Sequence, residues 1–172
     1  MDVHRLGRGA RYHEGEVSGG ESRALSTIGR MTTVFTKIIQ GDLPGTFVWR
    51  DEHCVAFLSI NPLAHGHTLV VPIEEVDHWV DASPELVAHL FEVTRLIGVA
   101  QRDAFACERV GVILAGFEVP HAHVHVIPTQ SMSQFDFSNA ARSVSRDDLD
   151  SAAAAIRTAL RAAGHTADVV DA

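Results

Sequence analysis

The 172-residue chain has two cysteines, Cys54 and Cys107, too few for a disulfide framework. Each sits beside aliphatic or aromatic neighbours, the usual setting of buried thiols in reducing compartments. Apolar runs of transmembrane length are absent, and the N-terminus lacks an uninterrupted signal-peptide core. Basic excess is absent too: 14 lysines and arginines against 22 acidic residues give a net charge of -8. No Lys/Arg cluster could track a phosphate backbone, which excludes a general surface for nucleic-acid polymer or anionic membrane. A small anion stays compatible, because neutral N–H donors and histidines hold phosphate without net positive charge. Neither a Gly-rich phosphate loop nor a Ser-His-Asp pattern is present. A soluble, cytoplasmic protein with one core is expected.

What the chain does have is histidine, 11 in all. His121, His123 and His125 alternate with Ala122, Val124 and Val126 in an otherwise apolar run that Pro128 closes. On a strand, alternate side chains share a face about 6.6–7 Å apart, so the three imidazoles would line one face while the apolar residues point to a core. A chain this rich in histidine produces the spacing by chance roughly once in twenty-odd tries. The context raises its weight: Gly116 and Pro120 stand before it, and aliphatics alternate within it. Imidazole titrates near neutrality and serves as nucleophile, donor or metal ligand, so the pattern marks a site and not a core.

Around it, residues 1–30 carry scattered glycines and arginines with no apolar period, the composition of a disordered extension. Met31 opens the patterned part and is the expected natural start. The spacing predicts a short helix over 34–40, broken by Gly41, Pro44 and Gly45, then strands over 46–50, 54–58 and 68–72. Ser83 as cap and Pro84 at the first position open a helix whose Leu86, Leu90, Val93 and Ile97 form a core stripe. Strands over 110–114 and 119–127 follow. Ser145 to Asp148 resemble a capping box before a helix near 147–163, which Gly164 stops. The order implies an α+β fold with a mostly antiparallel sheet, a central helix and an added C-terminal helix.

The histidine run resembles the motif of the histidine triad (HIT) superfamily of nucleotide hydrolases and transferases. Val34 to Ile39 with Pro44 resemble that family's N-terminal helix, Asp51 to Pro62 its hairpin, and Gly66 to Pro72 its next strand. The resemblance implies a HIT domain over 31–130 and a C-terminal extension over 131–172. It implies His123 as the nucleophile on an α-phosphorus, carrying a transient nucleotidyl group. His125 would donate to phosphate oxygens, His121 would orient its neighbour, and His67 would stand in support or be a structural histidine. An apolar base pocket of Phe35, Ile38, Phe57 and Ile60, with Ser59 and Glu118 beside the nucleotide, is likewise implied. So are a purine mononucleotide or its conjugate as ligand, no cofactor, and a homodimer built through the central helix.

Three departures bear on this. Many members carry an acidic residue for the ribose hydroxyls where this chain has Ser59. The segment from Leu114 to Glu118 is short and lacks the family's amides, while Phe117 would make the mouth apolar. Members that bind structural zinc use two cysteines, here Thr33 and Thr36, and two histidines, matched to His67 and His121; two ligands are too few for a closed site. Two other readings follow: a nucleotide-binding module with vestigial catalysis, and a metalloprotein ligated by the three histidines.

Overall fold

The computed structural model describes residues 32–171. The expectations for residues 1–30 and for a start at Met31 lie outside the described residues.

Local rules set the elements. The Thr33 hydroxyl accepts the Thr36 N–H and caps α1 (Val34–Gln40), which Gly41 ends in the left-handed region at φ 86°. β1 (Phe47–Arg50), β2 (Cys54–Leu58) and β3 (Thr68–Pro72) follow as a meander. Ser83 caps α2 (Pro84–Ala104) through the Leu86 N–H. β4 (Arg109–Ile113) and β5 (Val124–Thr129) complete the sheet, and Ser145 caps α3 (Arg146–Ala162).

The strand order is β1-β2-β3-β5-β4, antiparallel at every pairing, so the α+β expectation holds. Strand alternation divides the sheet into two faces. One carries Cys54, Ala56, Leu58, Val70, Val124 and Val126 against the stripes of α2 and α3. Full burial of a Leu, Val or Ile such as Leu90 or Ile97 stabilises by about 1.5–3 kcal/mol. The other face carries Val55, Phe57, Leu69 and Val71 under Phe35 of α1. A bulge between Phe47 and Trp49 lets Phe47 pack on this second face while Val48 and Trp49 both enter the first.

The turn from β1 to β2 is built around Asp51. Its carboxylate accepts the backbone N–H groups of His53 and Cys54, the Trp49 indole and His89 Nε2. Burial alone would raise its pKa, but these donors outweigh burial and hold it at about 2. The group of Asp51, Cys54 and His89 thereby ties β1 and β2 to α2. Burial, with the Asp51 charge beside it, pushes the Cys54 thiol pKa up.

The strand expected over 119–127 begins only at Val124, so His121 and His123 precede β5 and His125 alone lies within it. The cause is local. The β3 ladder reaches β5 only as far as Val70 opposite Val124. Beyond it, the Pro72 carbonyl takes the His121 side chain, and the Ala122 N–H turns to Val76 O. At the far end β5 runs through Pro128, past Val126, where β3 pairing stops and only β4 remains as neighbour.

Candidate active site

His67 and His125 form the first half of the site. The Leu63 N–H donates to His67 Nδ1 at 3.1 Å, so the neutral His67 ring carries its proton on Nε2. That nitrogen lies 2.9 Å from His125 Nδ1 and must donate to it. His125 is therefore left with its proton on Nε2. Burial, reinforced by the neighbouring histidines, lowers both pKa values, His67 to about 4 and His125 to about 3, so both rings are neutral at physiological pH.

His123 forms the second half. Its Nδ1–H donates to the His121 carbonyl at 2.8 Å, leaving Nε2 with the lone pair. Burial lowers its pKa too, against that bond and the Glu118 charge, which raise it. The His123 ring packs edge-on against Phe35, with centroids 4.9 Å apart, and 4.8 Å from the His125 ring. An unprotonated nitrogen and a ring N–H donor thus stand side by side.

Both rings line a cavity of ≈ 500 Å³. Phe35, Ile38, Phe57, Ser59, Ile60, Glu118 and His67 line it with them, so these residues named from the sequence are brought together. His121 is not among the lining residues; it is fully buried behind Phe35. Phe117 does not line the cavity either and is 97% exposed, contrary to the apolar mouth expected from it. The C-terminal segment adds Phe137, whose ring stands 5.1 Å from that of His125, together with Ala140, Arg146 and Leu149. These were illegible in the sequence, because nothing in their local pattern fixes where a polar connection returns to the sheet.

The three histidines do not converge on one point. His121 has both nitrogens engaged, Nε2 donating to Pro72 O at 2.9 Å and Nδ1 facing the Thr33 hydroxyl at 2.9 Å. This geometry does not favour a metal held by the three.

The HIT domain sequence model matches residues 40–132, and the chain belongs to that family. Bacillus subtilis protein hit is 38% identical over 102 residues, covering 55% of this chain and 69% of that protein. Adenylylsulfatase HINT3 of Arabidopsis thaliana is 30% identical over 116 residues, covering 64% of this chain and 59% of the plant protein. A Zn-bound histidine triad family protein from Mycobacterium smegmatis superposes with a TM-score of 0.67 at 26% identity, over 78% of this chain and 96% of that one. Phe137, Ala140, Arg146 and Leu149 lie beyond the stretch matched to the family.

Thr33 and Thr36 stand where the resemblance would place two zinc-binding cysteines. The residues gathered with them are Glu75 and His121, not His67, which is turned to His125. The assignment of His67 to a zinc-type corner is therefore corrected. Structural zinc takes thiolate and imidazole; two hydroxyls, one carboxylate and an imidazole already bonded at both nitrogens do not fit it.

Proposed function

We propose that the protein cleaves nucleotidyl conjugates at the α-phosphate, as a hydrolase or nucleotidyl transferase working through His123. The observation that carries this is the pairing of tautomers: a lone-pair His123 Nε2 beside a His125 whose remaining proton is on Nε2, both on one cavity. His123 Nε2 attacks phosphorus as the bond to the leaving group breaks, and the leaving group departs with its electron pair and takes a proton from solvent. Water, or another acceptor, then attacks the nucleotidyl-histidine and gives up its own proton, freeing the imidazole. Splitting one displacement into two lowers each barrier. The His125 N–H stabilises charge on the non-bridging oxygens, the main demand of phosphoryl transfer.

Phe35, Ile38, Phe57 and Ile60 supply an apolar slot for a purine, with Ser59 and Glu118 beside it. Arg146 is the one lysine or arginine among the described cavity residues, and in this reading it answers the ligand's negative charge. Candidate substrates are purine nucleoside phosphoramidates, dinucleoside polyphosphates and mixed anhydrides; the adenylylsulfatase relative supports the last. The working molecule in this reading is a cytoplasmic homodimer, which light scattering checks as twice the 18.6 kDa of the chain.

His123→Asn abolishes turnover across a panel of adenylyl conjugates while circular dichroism stays unchanged. Undiminished turnover rejects the reading. The neutral Ser59 hydroxyl, weaker than a carboxylate toward ribose, favours a second reading, a binding module with vestigial catalysis. Calorimetric binding of AMP or GMP without turnover of any conjugate selects it.

A further inference from the structure

His121 is the histidine of the triad that does not line the cavity, and both of its ring nitrogens have hydrogen-bond partners. Its ring Nε2–H donates to Pro72 O, so in the neutral ring Nδ1 must accept. The donor is the Thr33 hydroxyl, 2.9 Å away. Thr33 Oγ1 in turn accepts the Thr36 N–H at 3.1 Å, while the Thr36 hydroxyl donates to Glu75 Oε2 at 2.5 Å. The Thr33 N–H also reaches Glu75 Oε2, at 3.3 Å. One carboxylate thus orients two threonines at the start of α1, and one threonine orients His121. The backbone carbonyl of His121 accepts the His123 Nδ1–H.

We propose that Glu75, acting through Thr36, Thr33 and His121, is a positioning residue for His123. The inference rests on His123 as the working histidine. The chain runs from Glu75 to Thr36, to Thr33, to the His121 ring, and through that residue's own carbonyl to His123 Nδ1. Each step from one residue to the next is a hydrogen bond, and the steps within Thr36 and within His121 are covalent. His121 is also held by its own N–H to Val119 O at 2.8 Å and by its ring to Pro72 O, so slackening a link does not release the residue but lets its ring, and with it the carbonyl that keeps the lone pair on His123 Nε2, shift. Small misplacements of a nucleophile are costly in rate while leaving substrate binding nearly intact.

The test uses the full chain with Glu75→Ala, Glu75→Gln, Thr33→Val and Thr33→Ser, read by steady-state kinetics and by ring ¹⁵N spectra of the histidines. Glu75→Ala and Thr33→Val lower kcat by about tenfold to a hundredfold with KM within about twofold. Glu75→Gln and Thr33→Ser keep an acceptor and a hydroxyl, and restore most of the loss. In the wild type His121 shows the Nε2–H tautomer and His123 the Nδ1–H tautomer; in Glu75→Ala the His123 signal moves toward a mixture. The proposal is overturned if Glu75→Ala lowers only the melting temperature, with kcat and the ring signals unchanged. Because the ring spectra need no substrate, a wild-type protein that turns over nothing defeats the proposed function and leaves the positioning claim to be judged by tautomer alone.

Discussion

His67 Nε2 lies 2.9 Å from His125 Nδ1, and the direction of that bond is dictated from outside the pair by the Leu63 backbone N–H on His67 Nδ1. A loop amide therefore decides which nitrogen of His125 carries the proton. Replacing His67 by Leu removes the donor and lets His125 take either tautomer. We expect kcat to fall by about tenfold to a hundredfold, as for other losses of an orienting partner, with KM little changed. Equal kcat in His67→Leu and wild type would contradict this.

Burying neutral histidines ties stability to pH. His67 and His125 have folded pKa values of about 4 and about 3, against 6.5 for a free side chain. Above pH 6.5 folded and unfolded chains both hold these rings neutral, and the full stability is present. Below it the unfolded chain binds protons that the folded one excludes, so stability falls by up to about 1.4 kcal/mol per pH unit for each such ring. The decline runs from 6.5 down to about 4 for His67 and about 3 for His125. Asp51 has the carboxylate form of the same dependence: its contribution is present above 3.8 and is lost as pH falls toward 2. Denaturant midpoints should therefore drop steadily between pH 7 and pH 4.5, and the slope should shrink in a His67→Asn, His125→Asn variant. A flat wild-type profile over that window contradicts the burial of neutral rings.

Much of this site was legible in the sequence because its residues obey local rules. The bounds of α1, β2 and β3 fall where the spacing and its breakers put them, and α2 starts at the Ser83–Pro84 cap. The cavity residues named from the resemblance lie together, Phe35 on α1, Phe57 on β2 and His125 on β5. Tertiary hydrogen bonds override local pattern where the reading went astray. Alternation alone predicts His121 on a strand, yet its ring takes the carbonyl a ladder would have used. Glu75 carries no motif of its own; only the fold brings it to Thr36, 39 positions away. Arg146 and Phe137 reach the cavity by the same kind of long-range return.

Gly66 fixes the entry to His67. Its φ of 86° lies in the left-handed region, and an added Cβ would stand 2.3 Å from Phe105 Cε2. Its carbonyl accepts from the Gln101 amide at 2.9 Å and the Thr68 hydroxyl at 2.8 Å, so the turn cannot simply shift outward. Gly66→Ala should cost about 1–3 kcal/mol from backbone strain, before the contact with the Phe105 ring is relieved. Calorimetry should show a melting temperature lower by several degrees, with activity per folded molecule reduced because His67 moves with the turn. An unchanged melting temperature would mean that the turn relaxes freely.

Arg146 sits at the first position of α3, where Ser145 still caps the helix if the arginine is removed. Its Nη1 donates to the Thr46 hydroxyl at 3.1 Å, and Thr46 O accepts the Leu58 N–H, one residue before Ser59. The guanidinium is therefore held against the wall of the cavity it lines, as the one lysine or arginine among its described residues. Its existing partner, Asp150 at 2.7 Å, is an exposed i,i+4 pair of the kind worth a few tenths of a kcal/mol, so it yields readily to a ligand. A charge-assisted contact to phosphate contributes about 1.5–3 kcal/mol. Arg146→Ala should accordingly raise KM for an anionic conjugate by roughly tenfold to a hundredfold at nearly constant kcat. It should also flatten the dependence of KM on salt, since screening acts on the lost charge. Asp150→Asn releases the guanidinium and should shift KM the opposite way. If Arg146→Ala leaves both KM and its salt dependence unchanged, the arginine serves only to pin α3 to Thr46.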